Sequence, residues 1–199
     1  MIKKILLFTF TSFLSFNAFS YMQVNFGVGS VNYYKGSNQG DTGTVYLDFS
    51  GYTENNLMYS ATYLYEGWEQ YYFGSYYQVD SGYLGGSIGY GFSDISTGSW
   101  FIEGKYESIS YSVDNVNVDA LLDTARITGA VGYTRQAEEG TNFTVKFVSI
   151  LDDCESYEVC EALFSKVDFP IPNSNWNFGL RLDVGDGITH LGIGPLVKF

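Results

Sequence analysis

The last stretch of the chain, residues 189–199, alternates between apolar and small or polar side chains and ends on an aromatic residue. On an extended strand one face carries Leu191, Ile193, Pro195, Val197 and Phe199. The opposite face carries His190, Gly192, Gly194 and Lys198, with Leu196 as the one large apolar exception. Because successive side chains of a strand point to opposite faces, this segment has one apolar wall and one polar wall. Such a strand is typical of a barrel that faces lipid outside and encloses a polar interior.

The N-terminal segment has the composition of a secretory signal. Lys3 and Lys4 precede an apolar run at residues 5–16, and Ala18 and Ser20 are small residues at the positions that a signal peptidase reads. The run is too short for a spanning helix, which argues against an N-terminal membrane anchor. We therefore predict a signal peptide at residues 1–20, with cleavage after Ser20, and a single domain at residues 21–199.

The charge composition excludes some partners. The formal net charge is −12, and removal of Lys3 and Lys4 makes the remaining chain more acidic still. Nucleic acid is an improbable partner because its phosphates would be repelled. Charged residues make up only 16% of the chain, whereas a soluble domain usually has about 25–35% of its surface charged. With 23 glycines and 19% aromatic residues, long helices are not expected.

The rest of the chain divides into segments that alternate with a period of two residues, the pattern of half-buried strands. Ten such segments are found, at residues 22–34, 44–53, 57–65, 79–92, 100–111, 124–134, 142–151, 163–169, 176–184 and 189–199. Segments of about ten residues match the length that a tilted strand needs to cross a bilayer. We predict an all-β, transmembrane, antiparallel up-and-down barrel of ten strands. Merging the weaker segments would give eight strands, which is the alternative.

The connections between segments alternate in length. The short ones lie at residues 54–56, 93–98, 135–140 and 170–175, and the longer ones at 35–43, 66–78, 112–123 and 152–162. Short turns at one end and longer loops at the other are typical of outer-membrane barrels, with both chain termini on the periplasmic side. The last hairpin departs from this pattern, because residues 185–187 form a tight turn on the side expected to carry a long loop.

The period alone does not decide which face points outward. A secreted soluble barrel, such as a lipocalin-like carrier, alternates in the same way with the faces inverted. Three features favour the membrane interpretation. Large aromatic residues lie near strand ends on the apolar faces, the polar faces are rich in glycine and small hydroxyl residues, and charges of both signs occur at mid-strand on those polar faces.

The signal segment and the terminal strand together resemble those of small Gram-negative outer-membrane barrels of the OmpA/OmpX type. The carboxyl terminus is similar to the assembly signal of such proteins, with Gly194, Val197 and Phe199 at its glycine, apolar and final aromatic positions. The resemblance implies a location in the bacterial outer membrane and contact with its lipid and lipopolysaccharide. It also implies insertion by the barrel-assembly machinery, and it implies no cofactor.

The predicted inner faces carry charges of both signs. The expected lumen network consists of Asp48, Glu103, Lys105, Glu107, Arg126, Lys146, Lys166, Asp168, Arg181, Asp183, His190 and Lys198. A charge inside a narrow barrel is tolerated when it is paired or hydrated. The favoured interpretation is an ion-paired plug, since an eight-stranded interior is just wide enough for side chains. The alternative is a narrow passive pore lined by charge, similar to a porin.

His190 is the single histidine of the chain and raises the question of catalysis. Outer-membrane hydrolases resemble one another in a His-x-Ser pair on a strand, and the second position after His190 is here Gly192. Acid-pair catalysis through Asp183, Asp186 and His190 is conceivable, although their spacing does not select it. A lone inward histidine is more often part of a polar network than a general base. We therefore expect no enzyme, with a membrane-embedded hydrolase or protease as the weaker alternative.

Two further segments are candidate sites. Cys154 and Cys160 would pair as a disulfide in an oxidising compartment. The surrounding acidic loop, residues 152–161, could bind a divalent cation through its carboxylates, but a solvated acidic loop is the simpler interpretation. The aromatic stretch at residues 68–77 would either form a contact surface for a partner or glycan, or extend the third and fourth strands at the lipid interface, which we favour. The predicted function is a non-enzymatic outer-membrane barrel with a role in envelope integrity or surface contact.

Overall fold

The computed structural model describes residues 19–33, 40–72, 75–113, 124–137, 139–152, 160–185 and 188–199. These residues form ten strands: β1 (Phe19–Tyr33), β2 (Gly40–Thr53), β3 (Leu57–Tyr72), β4 (Ser75–Gly91), β5 (Ser99–Val113), β6 (Thr124–Gln136), β7 (Asn142–Ile150), β8 (Glu161–Pro170), β9 (Trp176–Gly185) and β10 (Ile188–Lys198). Each strand pairs with its sequence neighbours, and β1 pairs with β10 to close the barrel. All pairings are antiparallel.

The structure confirms the predicted closed up-and-down barrel and its strand number of ten rather than eight. Closure gives each strand of the barrel a hydrogen-bonded partner on both sides. The described residues contain no helix that is long and apolar enough to span a membrane. Residues 1–18 lie outside the described ranges, so the signal peptide stays a prediction. Strand β1 begins at Phe19, just before the predicted cleavage point.

The strand ends differ from the prediction at one end of the barrel. The expected loop at residues 66–78 is wrong, because β3 continues to Tyr72 and β4 resumes at Ser75, with their residues paired along the whole length. The aromatic stretch therefore extends both strands, as the favoured interpretation held. After Gly67 in β3 and before Val79 in β4, these two strands pair only with each other, so they form a two-stranded ribbon. β2 likewise begins earlier than expected, at Gly40.

The apolar faces of the strands point outward and the polar faces point inward. Val28, Trp100 and Leu191 are 59%, 62% and 59% exposed on the outer wall. On the inner wall Asn25, Glu107 and other polar side chains are buried. This distribution is the reverse of a soluble carrier barrel, whose interior is apolar, and it is the arrangement expected of a barrel in lipid.

The connections β2–β3, β4–β5, β6–β7 and β8–β9 all lie at one end of the barrel, together with the start of β1 and the end of β10; we call this the turn end. The other end, which we call the loop end, has the longest connections, β5–β6 and β7–β8, and also the two-residue connections β3–β4 and β9–β10. Asn56 and Asn173 adopt left-handed backbone conformations in two of these turns, with φ of 61° and 58°. In the β4–β5 turn, Asp94 accepts hydrogen bonds from the amide and hydroxyl of Ser96, both at 2.7 Å. These bonds, the hydroxyl first, lower the pKa of Asp94.

Candidate functional site

The barrel interior contains the candidate site. It encloses a cavity of about 450 Å³, which is bordered by residues of both the turn end and the loop end. All members of the expected lumen network border this cavity except Asp168 and Lys198, which lie nearer the turn end. The remaining lining consists mainly of small hydroxyl, aromatic and aliphatic side chains. A space of this size between polar walls is large enough to hold water.

One wall of the interior, formed by β5, β6 and β7, carries two groups of ion pairs. Glu107 bridges two cations: it accepts from Lys105 Nζ, and its Oε2 lies 2.7 Å from Arg126 Nε. On the same wall, Glu103 accepts from Lys146 Nζ at 2.9 and 3.0 Å. The side chains of both glutamates are only 9% exposed, so these bonds replace much of the water that the carboxylates lose.

The facing wall is formed by β2, β8, β9 and β10 and is centred on Arg181. Its guanidinium lies 2.8 Å from Asp183 Oδ2 on the same strand and 3.8 Å from Asp48 on β2. Two strands separate β9 from β2 around the barrel, so the second contact crosses the curved inner surface. The guanidinium also lies over the rings of Tyr46 and Phe164, at 5.7 and 5.0 Å from their centroids. These contacts fix the position of Arg181 from several directions.

Phe164 links the two charged walls. Its ring has Arg181 Cζ at 5.0 Å and Lys146 Nζ at 5.1 Å. Among the described residues, no ion pair joins the two walls directly. The two walls are instead connected through the Phe164 ring, which has one cation from each wall beside it. This arrangement was not predicted, because Phe164 interrupts the polar face of its strand as a single aromatic residue.

His190 occupies the centre of a hydrogen-bonded row. Its Nδ1 lies 3.0 Å from Asp183 Oδ2, and its Nε2 lies 3.3 Å from Thr44 Oγ1. The contact between His190 and Thr44 reaches across β1, which lies between β2 and β10. It is possible because β1 has Gly29 at this level, where a Cβ would come within 2.8 Å of both His190 Nε2 and Thr44 Oγ1. A hydroxyl, an imidazole and a carboxylate in a row have the order of a nucleophile with its base and orienting acid.

The hydroxyl in this row is poorly placed for catalysis. Thr44 is only 3% exposed and does not border the cavity, whereas His190 does. A nucleophile needs open space for the reacting carbon next to its oxygen. The row is a hydrogen-bonded polar network in which Asp183 Oδ1 has no hydrogen-bond partner among the described residues. Asp186, the third member of the conceivable acid pair, lies outside the described residues.

The turn end of the interior is closed by a chain of neutral hydrogen bonds, which we call the floor. Asn142 Nδ2 on β7 donates to Tyr21 OH on β1 at 2.8 Å, and Tyr21 OH donates to Gln23 Oε1 at 2.5 Å. Gln23 Nε2 then donates to Ser50 Oγ on β2 at 2.9 Å. β1 and β7 lie on opposite sides of the barrel, so this chain crosses the lumen.

Further contacts reinforce the floor. The hydroxyl groups of Thr134 on β6 and Thr144 on β7 lie 2.9 Å apart and hydrogen-bond to each other. Lys198 lies beside the floor: its Nζ donates to Gly140 O at 2.8 Å and stands 5.7 Å from the Tyr21 ring centroid. Lys166 pairs with Asp168 at 3.4 Å just above.

Several interior residues were missed by the sequence analysis. Tyr21, Gln23 and Asn142 were not singled out, and the buried side chains of Phe101 and Ile109 were not assigned to the interior. Leu196 was recognised only as a large apolar exception on the polar face of its strand. Period two was the available signal, because each of these residues lies an even number of positions from an assigned inward residue on its own strand.

The remaining site predictions lie largely outside the described residues. Cys154 and most of the acidic loop are among residues 153–159, so the disulfide and a cation site there stay predictions. Asp152 at the start of that loop accepts from the amide of Ile127 on β6 at 3.0 Å. Within the described ranges, no group of three or more histidine, cysteine, aspartate or glutamate side chains is placed to bind a metal ion.

The assembly-signal positions have different structural settings. Gly194 lies against the backbone of β1, where a Cβ would collide with Phe26 O and Gly27 Cα. Val197 pairs with Val24 across the barrel closure, and Phe199 is 71% exposed beyond the end of β10. The glycine is therefore required by strand packing, whatever its role in assembly.

Comparisons with known proteins support the fold. No protein-family model matches the chain, and no curated protein matches it either. Among solved structures, it is similar to the β domain of the Bordetella autotransporter BrkA, with a TM-score of 0.51, 9% identity, and coverage of 92% of this chain and 100% of that one. The translocator domain of the autotransporter NalP from Neisseria meningitidis has a TM-score of 0.48 at 10% identity, covering 100% and 94%. Neisserial surface protein A (NspA) has a TM-score of 0.35 at 11% identity, covering 89% and 94%.

Proposed function

We propose that this chain is a non-enzymatic outer-membrane β-barrel whose wall spans the lipid and whose lumen is closed. The apolar outer wall supports the membrane location, because a surface with this many exposed aromatic and aliphatic side chains would not stay dissolved as a monomer. At the loop end the connections β3–β4 and β9–β10 are only two residues long, but β5–β6 and β7–β8 have the longest connections of the chain, which supports an orientation with the turn end in the periplasm. The role we propose is envelope integrity or surface contact.

The observation that carries the closed-lumen proposal is the pairing of the inward charges. Glu107, Glu103 and Arg181 each hold an opposite charge within 3.0 Å, and the floor crosses the lumen beneath them. A conducting pore normally keeps its lining charges hydrated and available to passing ions. Charges that are already neutralised by neighbours instead brace the wall, which favours a mechanical role over transport.

Surface contact would be made at the loop end. The chain is strongly acidic, and its expected loop at residues 152–161 holds several carboxylates. These would face the lipopolysaccharide layer outside the cell, where divalent cations neutralise anionic groups. We propose outer-membrane lipid and lipopolysaccharide as the immediate partners, with the barrel-assembly machinery acting during insertion.

Two measurements on detergent-folded protein test the proposal. An unheated sample should migrate faster on a gel than a heated one, because a closed barrel resists detergent until it is heated. In planar bilayers the same preparation should show no sustained conductance. A barrel that folds and conducts steadily without any substitution would contradict the closed-lumen function and favour the narrow pore.

The narrow pore is the second candidate because of one observation, the continuous cavity of about 450 Å³ that borders both ends of the interior. If conduction occurs, replacement of Lys105 should mainly change ion selectivity. If the lumen is a plug, the same replacement should mainly lower heat stability in detergent.

A further inference from the structure

We propose that the floor is a gate: Tyr21 and Asn142 form a neutral, breakable closure at the turn end of an otherwise hydrated lumen, and its release converts the barrel into a pore for small ions. The proposal rests on the closed barrel proposed above and adds where, and by which residues, that barrel is closed.

The position of the closure follows from the boundaries of the cavity. Gln23 and Tyr52 border the cavity at the turn end. Tyr21 on β1 and Asn142 on β7 lie nearer the turn-end rim of the barrel and do not border the cavity. The cavity therefore ends at the level of the Asn142–Tyr21 hydrogen bond. At the opposite end the cavity is bordered by Val31, Glu66 and Ile188, so it runs through most of the described barrel. Among the described residues, the floor therefore separates the cavity from the solvent at the turn end.

The bonds of the floor differ in kind from those of the wall. Along β5 to β9 the inward charges are held by ion pairs within one strand or between strands one or two positions apart, and opening them would leave charges unpaired. The chain from Asn142 through Tyr21 to Gln23 is neutral, and water can replace each of its bonds. The weakest link across the lumen is therefore at the turn end.

The location of Tyr21 favours movement. Under the predicted cleavage after Ser20, Tyr21 is the first residue of the mature chain; its backbone pairs with Tyr52 on β2, whereas the pairing of β1 with β10 begins only at Gln23. Rotation of this one side chain breaks its bonds to Asn142 and Gln23 together. Lys198 stands 5.7 Å from the ring, so a cation lies next to the opening that results.

The experiment compares the purified, folded barrel with three variants in planar bilayers containing potassium chloride. Tyr21→Phe keeps the ring and removes both hydroxyl hydrogen bonds, and the double variant Tyr21→Ala with Asn142→Ala removes the closure itself. Tyr63→Ala is the matched control, because Tyr63 is a 45% exposed residue of the outer wall. Heat-dependent gel migration of each variant establishes that it folds.

We expect rare, brief openings in the unsubstituted protein and in the control. Tyr21→Phe should raise the open probability roughly tenfold to thirtyfold, because the closed state loses the stabilisation of two neutral hydrogen bonds. The double variant should conduct in discrete, sustained steps.

A folded double variant that stays silent would overturn the gate while leaving the closed barrel intact. Steady conductance that is equal in all four proteins would instead refute the closed barrel itself. Should the double variant fail to fold, the comparison of Tyr21→Phe with Tyr63→Ala decides: equal open probabilities refute the gate.

Discussion

Replacement of Arg181 by methionine tests whether the ion pairs of the lumen hold the barrel together. Methionine keeps the length and apolar stem of the side chain but removes the guanidinium. The change leaves Asp183 with His190 as its remaining partner and removes the ion pair of Asp48 with Arg181. It also ends the contacts with the rings of Tyr46 and Phe164.

The magnitude follows from the burial of these groups. Breaking a fully buried pair by removing one partner costs about 3–5 kcal/mol. Here the side chains of Arg181 and Asp183 are 16% and 14% exposed and border a cavity that can hold water, so we expect a smaller loss of about 2–3 kcal/mol. For a chain of this size, that loss of stability lowers the midpoint temperature of unfolding by about 5–10 °C.

The assay is the midpoint temperature at which the folded band on a gel converts to the unfolded one in detergent. Arg135→Met is the matched control, because Arg135 is an exposed arginine at the turn end of β6. A double variant, Arg181→Met with Asp183→Asn, should recover about 1 kcal/mol, since it removes one of the two carboxylate charges that lose Arg181 as a partner. Equal midpoints for Arg181→Met and Arg135→Met would refute the structural role of the lumen pairs.

Three further predictions follow from local geometry. Glu107→Gln should destabilise the folded barrel by about 1–2 kcal/mol in the same assay, because two partly hydrated cations lose their shared carboxylate. Gly194→Ala should lower the folded fraction, at a cost of about 1–3 kcal/mol, whereas Gly104→Ala should not, since a Cβ at Gly104 meets nothing within 4 Å. Ser96→Ala should raise the pKa of Asp94 towards its ordinary value in a carboxyl NMR titration, and the small stabilisation by this turn should be lost as the pH falls through the lowered pKa. An unchanged titration would show that the hydrogen bond from the Ser96 hydroxyl is absent in solution.

The wall of the barrel was predictable because it depends on local sequence. Alternation with period two gave ten strands and their faces, and the turns with asparagine or glycine marked one end. The prediction was wrong at residues 66–78, where a run of aromatic and polar residues without a clean alternation was assigned to a loop. Tyrosine, tryptophan and phenylalanine favour strands, and pairing across β3 and β4 was sufficient to continue them.

The partners of the interior groups could not be predicted. Which residue lies opposite another across a barrel depends on the shear of the strands, and shear is a property of all ten pairings together. Arg181 meets Asp48 around two intervening strands, and Thr44 meets His190 across Gly29. Tyr21 meets Asn142 from the far side of the lumen. No spacing along the chain indicates any of these contacts.

The central claim is that the aromatic outer wall contacts lipid while the polar wall is enclosed. Trp100 and Trp176 are 62% and 44% exposed on the outer surface, and Trp68→Phe would remove the third tryptophan of the chain. In vesicles, we expect lipids brominated near the headgroup to quench the fluorescence of this variant strongly and aqueous iodide to quench it weakly. Strong quenching by iodide with no effect of brominated lipid would show that the outer wall faces water, and the membrane assignment would be wrong.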